Sequence, residues 1–312
     1  MGFVALIFAL LIEQGRPLPE NNWIHRAFVW TADTVMHVTN AGERRQGIAG
    51  WVLIVLGSLL AVAMVSWGLD ALHPLALFCL HVLVLYHTVG FRQFSHAFTE
   101  IQVALAAGDM AAARQALQRW LRRDDPDYSV GDASVNEICR LAIANALVAS
   151  HRHVFAPLFW YILLPGPIGP VLYRVAEMLA RRWTVPGEVY GDFSRAAYGM
   201  LDWLPLRLSA AGFAIVGNFE DAVYAWRGVV AARAGTDQRS LLLATGGGAL
   251  GLRIADPALE ARWAQDGEQG FEPLGSEAAS DGLRSAVGLV WRSVVLWVAL
   301  FAMMTVANWL GR

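Results

Sequence analysis

The stretch FAPLFWYILLPGPIGPVLYRVAEMLARRW, Phe155–Trp183, has the length and apolarity of a membrane helix but a broken middle. Pro165, Gly166 and Pro167 interrupt it, Pro170 follows, and Arg174 and Glu177 stand where lipid would be. In a bilayer, a backbone group freed by proline must find another partner. Such breaks therefore persist only where protein or water lines them. An ionisable side chain at membrane depth costs several kcal/mol and is by default a functional-site hypothesis. The next apolar stretch, Ala197–Gly217, repeats the pattern with Asp202, Pro205 and Arg207. Together the two segments predict a polar cleft built on broken or re-entrant helices.

The rest of the chain fits this frame. With 312 residues, 56% of them hydrophobic, and mean hydropathy +0.43, it is too apolar for an ordinary soluble domain. Gly47–Leu69 is uncharged and long enough to span, and Ala71–Phe91 follows almost at once, so the two predict a hairpin. Ser293–Leu310 reads as the last span, and Gly2–Ile12 is a short apolar run suited to a tilted or half-inserted helix. The expected fold is all-α: a single polytopic membrane domain over 1–312 with four to five membrane helices.

Between the spans lie two polar stretches. Residues 92–152 predict a helical insert outside the lipid. Asp109 caps one helix, which ends before Asp124, Asp125 and Pro126, and Asp132 caps the next. Arg114, Arg119, Arg122, Arg123 and Arg140 place this insert in the cytoplasm by the positive-inside rule. Residues 218–284 read as a polar connecting region with a flexible loop at Asp266–Gly282, and no period-2 pattern predicts a strand. TGGGALG at Thr245–Gly251 reads as close packing or a tight turn.

Composition excludes several chemistries. All 24 basic residues are arginine, so no lysine Schiff base or P-loop lysine exists. Net charge is −2, which argues against nucleic acid as a partner. Cys79 and Cys139 form no metal-ligand motif. His73, His81 and His87 do not share a helix face and read as satisfied histidines. His151 and His153 are expected at the membrane–water boundary. Arg174 and Glu177, i,i+3 on one helix, form either a structural ion pair or part of an anion site. Arg207 either snorkels to the interface or binds an anion.

The motifs FAPLFW, PGPIGPVLYRVAEMLA and YGDFSRAAYGMLDWLPLRL resemble those of the cobinamide-phosphate synthases, the CobD/CbiB family, as do GDASVNEICRLAIANAL and LLLATGGGALGLRI. The resemblance runs from about residue 3 to 310. It implies an integral membrane protein that joins an aminopropanol unit to adenosylcobyric acid. Such amide formation calls for a nucleotide and a divalent metal, held by carboxylates. Those carboxylates are where this chain departs. The family's Glu-Asn and following Asp fall on Val148, Ala149 and Arg152, and its Asn and Asp in the next motif on Glu177 and Ala180. Its Asp-Asp falls on Tyr198 and Gly199, and a later Asn on Asp202. The packing skeleton remains, including Ala156, Pro157, Tyr173, Arg174, Gly191, Trp203, Pro205 and Arg207, while His-Pro before the matching Trp23, Ile24 and Arg26 becomes Pro19 and Glu20.

Leu201–Trp226, LDWLPLRLSAAGFAIVGNFEDAVYAW, is similar to the AmpE proteins, inner-membrane proteins associated with β-lactamase induction. The resemblance implies an inner-membrane protein with an AmpE-like ligand- or partner-binding role, the alternative being a synthase with a rearranged acid set of Glu13, Glu20, Glu177, Asp192 and Asp202. Glu177 and Asp202 are the candidate catalytic carboxylates. Arg174, Arg207, Glu13 and Arg26 are the candidate ligand-binding residues, with Glu13 and Arg26 closing from the N-terminal helices, and no residues are assigned to a metal. Expected partners are the lipid bilayer, a corrinoid or other anionic small molecule, and another membrane protein. Without an inverted repeat, a transporter is disfavoured.

Overall fold

A computed structural model describes residues 2–15, 23–185, 187–231, 238–255 and 274–311. Glu20 and residues 266–273 of the Asp266–Gly282 loop lie outside the described residues. The described chain is an all-α membrane protein. By contacts it divides into two compact units, Met1–Gln93 with Ala156–Pro205, and Phe94–Phe155 with Leu206–Arg312.

In the first unit, α1 (Gly2–Gly15) packs on α4 (Pro74–Thr88), while α3 (Arg44–Leu72) packs on α2 (Trp23–Thr39), α4 and α9 (Ile168–Trp183). The expected hairpin forms between α3 and α4, with His73 alone as the joint. His73 Nδ1 accepts from Leu75 N at 3.0 Å, and Pro74 opens the helix where its missing N–H costs nothing. α4 is shorter than the sequence suggests, at 15 residues, about 22 Å against the ~30 Å hydrocarbon core. Pro74 fixes its start and the extended Val89 its end.

α3 has two faces. Gly47, Gly50, Ile54 and Val55 are buried, whereas Leu53, Leu56, Leu60, Met64 and Trp67 form an exposed stripe at helical spacing. That stripe is the lipid-facing side. The buried side joins a core of Ala32, Ile54, Val55, Val175, Leu179, Trp183 and Tyr190. Gly47 and Gly50 are needed there: a Cβ at Gly47 would lie 2.0 Å from the Tyr190 carbonyl oxygen. Small residues of this kind let helices approach where no hydrophobic force separates lipid from protein.

The sequence break is present. α8 (Ala156–Leu163) stops, residues 164–167 turn with Gly166 at φ +59°, and α9 restarts at Ile168. A Cβ at Gly169 would meet the Trp160 carbonyl oxygen at 2.0 Å, so glycine is what lets α9 fold back on α8.

In the second unit, α5 (Phe91–Ala106) and α6 (Met110–Leu121) precede α7 (Val135–Ser150), which is buried almost all round. Asp109 caps α6 as expected, its Oδ1 accepting from Ala112 N at 2.9 Å. The cap of α7 is Ser134, not Asp132; its Oγ accepts from Glu137 N, while Asp132 faces Arg114 at 4.0 Å. α7 runs into a π-helical turn, His151–Phe155. Pro157 explains it, since its ring and missing N–H cannot continue an ordinary i→i−4 ladder. His151 is buried rather than at a water boundary, with Nδ1 2.9 Å from Ser209 Oγ.

Residues 218–284 hold two packed helices, α11 (Phe219–Ala231) and α12 (Gln238–Leu250). A Cβ on Gly248 would lie 2.5 Å from the Asp221 carbonyl oxygen, and one on Gly246 2.6 Å from Leu147, so TGGG serves close packing. Gly251, at φ +66°, supplies the turn. Two strands of two residues each, β1 (Leu252–Arg253) and β2 (Ser276–Glu277), pair in parallel. They are too short to show a period of two, which is why the sequence predicted none. The last helix, α13 (Ser280–Leu310), begins well before Ser293. Its first half is the buried one, through Leu283, Ala286, Leu289, Val290 and Trp297. α10 (Asp192–Val216) carries Pro205 internally, at the division between the units. α3, α10 and α13 are long and apolar enough to cross a membrane, with α1 and α4 as shorter apolar helices.

Candidate functional site

α9 positions most of the predicted residues. Its buried face carries Tyr173, Ala176, Glu177, Ala180 and Trp183, at i, i+3, i+4, i+7 and i+10. Glu177 is 2% exposed. It accepts from Arg174 Nη1 at 2.8 Å and from Arg181 Nη1 at 3.4 Å, one turn on either side. The i,i+3 ion pair read from the sequence is therefore present, and a second arginine completes it. One turn before Glu177, the buried Tyr173 hydroxyl donates to Asp202 Oδ1 at 2.8 Å and lies 3.0 Å from the Tyr198 hydroxyl. Asp202 is 7% exposed.

α2 supplies the outer wall. Asp33 takes both Nε and Nη2 of Arg182 at 2.7 Å, a bidentate fork across helices. That fork holds the Asp33 carboxyl below its usual range. His25 is held below the ordinary imidazole value by burial first, then by the positive field of Arg174, Arg181 and Arg182, with Glu177 pulling the other way. His25, Arg26, Asp33 and Arg182 line a cleft of about 760 Å³ with Trp23 and Trp30.

Arg174 and Glu177 thus pair on α9, Asp202 of the helix Asp192–Val216 meets Tyr173 one turn earlier, and Arg26 lines the α2 cleft with Arg182. Glu13 is buried on α1, whereas Arg26 is exposed on α2. Arg207, beyond Pro205, is half-buried in the second unit. His25, Trp30, Asp33 and Arg182 were not singled out from the sequence. Trp23, Arg26, Trp30 and Asp33 do recur at i, i+3, i+7 and i+10, a helical stripe that could have flagged them. Nothing local could have paired Asp33 with an arginine 149 residues away.

A family model described as CobD/Cbib protein matches residues 3–290. The chain belongs to the CobD/CbiB family. It is 31% identical to the Cobalamin biosynthesis protein CobD of Chromobacterium violaceum over 261 residues, covering 82% of this chain and 79% of that one. It is 27% identical to the protein of the same name from Stutzerimonas stutzeri over 306 residues, 95% of each chain. Protein AmpE of Shigella flexneri is 32% identical over 91 residues, 27% of this chain and 32% of AmpE. No solved structure matches.

The CobD/CbiB resemblance implies a divalent metal with a nucleotide, and the donor set at α9 does not fit one. A hard cation needs several oxygen ligands around one point. Here Glu177 is engaged by two guanidinium groups and Asp202 by a tyrosine hydroxyl. Among the described residues no three His, Cys, Asp or Glu side chains converge. Of the histidines of α4 and its cap, His73 accepts from Leu75 N at 3.0 Å and His81 lies 2.8 Å from the Tyr161 hydroxyl.

Proposed function

We propose that this CobD/CbiB-family protein serves corrinoid metabolism by binding an anionic ligand or a protein partner, and does not itself form the amide bond. The likenesses to two proteins named for cobalamin biosynthesis, over 82% and 95% of this chain, support the pathway. One observation carries the binding role: the carboxylate that occupies the family motif, Glu177, is buried between Arg174 and Arg181. A carboxylate so neutralised is a poor metal ligand and a poor base. Arg174, Arg26 and Glu13 are the ligand-binding residues of the first unit in this reading and Arg207 that of the second, and the AmpE-like role inferred from Leu201–Trp226 agrees with it. The location that fits is the bacterial inner membrane, with the arginine-rich helices of residues 92–152 in the cytoplasm.

The test is complementation of a strain that lacks its own cobinamide-phosphate synthase and needs cobalamin made from cobyric acid. The expected result is no growth, with the protein present in the membrane, while the purified protein retains a corrinoid or a membrane-protein partner. Growth would instead mean synthase activity, and Glu177 and Asp202 would become its candidate carboxylates.

A further inference from the structure

Val148, Ala149 and Arg152 stand where α7 runs into the π-helical turn, at i, i+1 and i+4, and the family's Glu-Asn and following Asp fall on them. Val148 and Ala149 are buried and offer no side-chain oxygen. Arg152 brings a cation where the resemblance implies an anion. Its Nη1 donates to Asp124 Oδ2 at 2.9 Å, across 28 residues of sequence. Asp124 stands in the turn after α6, where its N–H donates to the Leu121 carbonyl oxygen at 3.0 Å. The Arg152 side chain is 19% exposed and that of Asp124 40%, so the pair lies at the rim of the packed helices, open to ions from solution.

At this one place two oxygen donors are exchanged for apolar groups, and a third for a positive charge that faces a carboxylate. The exchanges balance one another. Two carboxylates held face to face repel, and a cation between them removes the repulsion. A guanidinium supplies such a charge from within the chain. It donates hydrogen bonds and has no acceptor atom, so it cannot also serve as a metal ligand. We infer that the Arg152 guanidinium takes the place of a divalent cation beside Asp124, so that this part of the second unit is balanced without metal and one substitution makes it metal-dependent. The inference concerns residues apart from α2 and α9 and goes beyond the ligand-binding reading above.

The experiment uses the full chain in phosphatidylcholine nanodiscs, with Mn²⁺ as the probe. Binding is read from the paramagnetic resonance signal of free Mn²⁺, and stability from the thermal midpoint. The wild type is expected to have the same midpoint in Mn²⁺ and in chelator. Arg152→Asp sets two carboxylates against each other, so its midpoint falls in chelator and recovers in Mn²⁺. Arg152→Ala loses the same ion pair but gains nothing from Mn²⁺, which separates a cation site from simple loss of the pair. Adding Val148→Glu and Ala149→Asn to Arg152→Asp tightens Mn²⁺ binding by on the order of tenfold or more, since affinity follows the number and charge of oxygen ligands. Arg152→Asp variants that fold without responding to Mn²⁺, or that fold in neither condition, overturn the inference, because a cation at that place should hold them. Mn²⁺ binding by the wild type that Asp124→Asn removes also overturns it. Growth of the complementation strain on a wild type indifferent to Mn²⁺ at Asp124 would overturn the ligand-binding reading and leave this one standing.

Discussion

Gly169→Ala is expected to leave little correctly folded protein. The substitution is the smallest available, and in most helix positions it stabilises, because alanine is the better helix former. Here the new Cβ would sit 2.0 Å from the Trp160 oxygen and 2.5 Å from its carbonyl carbon. Both are backbone atoms, so no side-chain rotation relieves the overlap. α8 and α9 would have to separate, and with them the turn of residues 164–167 that lets the chain double back. The cost exceeds the roughly 1–3 kcal/mol of ordinary overpacking. The measurement is the monodisperse fraction after mild-detergent extraction, with the thermal midpoint of what survives. Gly57→Ala is the control, since its Cβ meets nothing within 4 Å. Equal yield and midpoint for the two variants would remove the steric account of the break.

The break itself was legible because two prolines and a glycine in an apolar stretch permit few structures. The lipid-facing helices were legible for a related reason: an uninterrupted apolar run such as Gly47–Leu69 has nowhere else to go. The pairing of Arg174 with Glu177 followed from helix spacing alone. What stayed hidden depended on long-range contact. Arg181 as a second partner for Glu177 is a matter of burial. Tyr173 stood in the sequence as part of a packing skeleton, and only the approach of α10 to α9 gives its hydroxyl a carboxylate. The cap of α7 went to Ser134 because its oxygen reaches the third helical N–H, while Asp132 was drawn toward Arg114. Residues 218–284 looked like a connection because the stretch is polar and carries arginines, with Ser, Thr and Gly among its residues. In α12 those same residues are buried, and the glycines allow α11 to lie against it.

Glu177→Gln should cost about 3 kcal/mol or more of stability, the usual consequence of removing one partner from a buried ion pair. The side chain keeps its shape, so no cavity forms, but Arg174, 18% exposed at its side chain, loses the carboxylate charge that lies 2.8 Å from it. Arg181 is 37% exposed and can turn toward water, so the loss falls mainly on Arg174. The double variant Arg174→Met with Glu177→Met then recovers much of the stability, because a buried pair replaced by apolar groups of similar volume is often neutral. Thermal midpoints of the single and double variants, read by fluorescence-detected size exclusion, check this ordering. The same pair of variants separates structure from chemistry. If Glu177 acted as a base or a metal ligand, Glu177→Gln would abolish activity even at temperatures where the variant stays folded, a loss that its lowered midpoint does not explain. If it is the anion that holds two arginines beside the α2 cleft, the midpoint falls first. Ligand binding then falls with it, and the double variant regains the fold without regaining the ligand, because Arg174 no longer contributes its charge. A double variant that regains both would mean that Arg174 does not contribute to ligand binding.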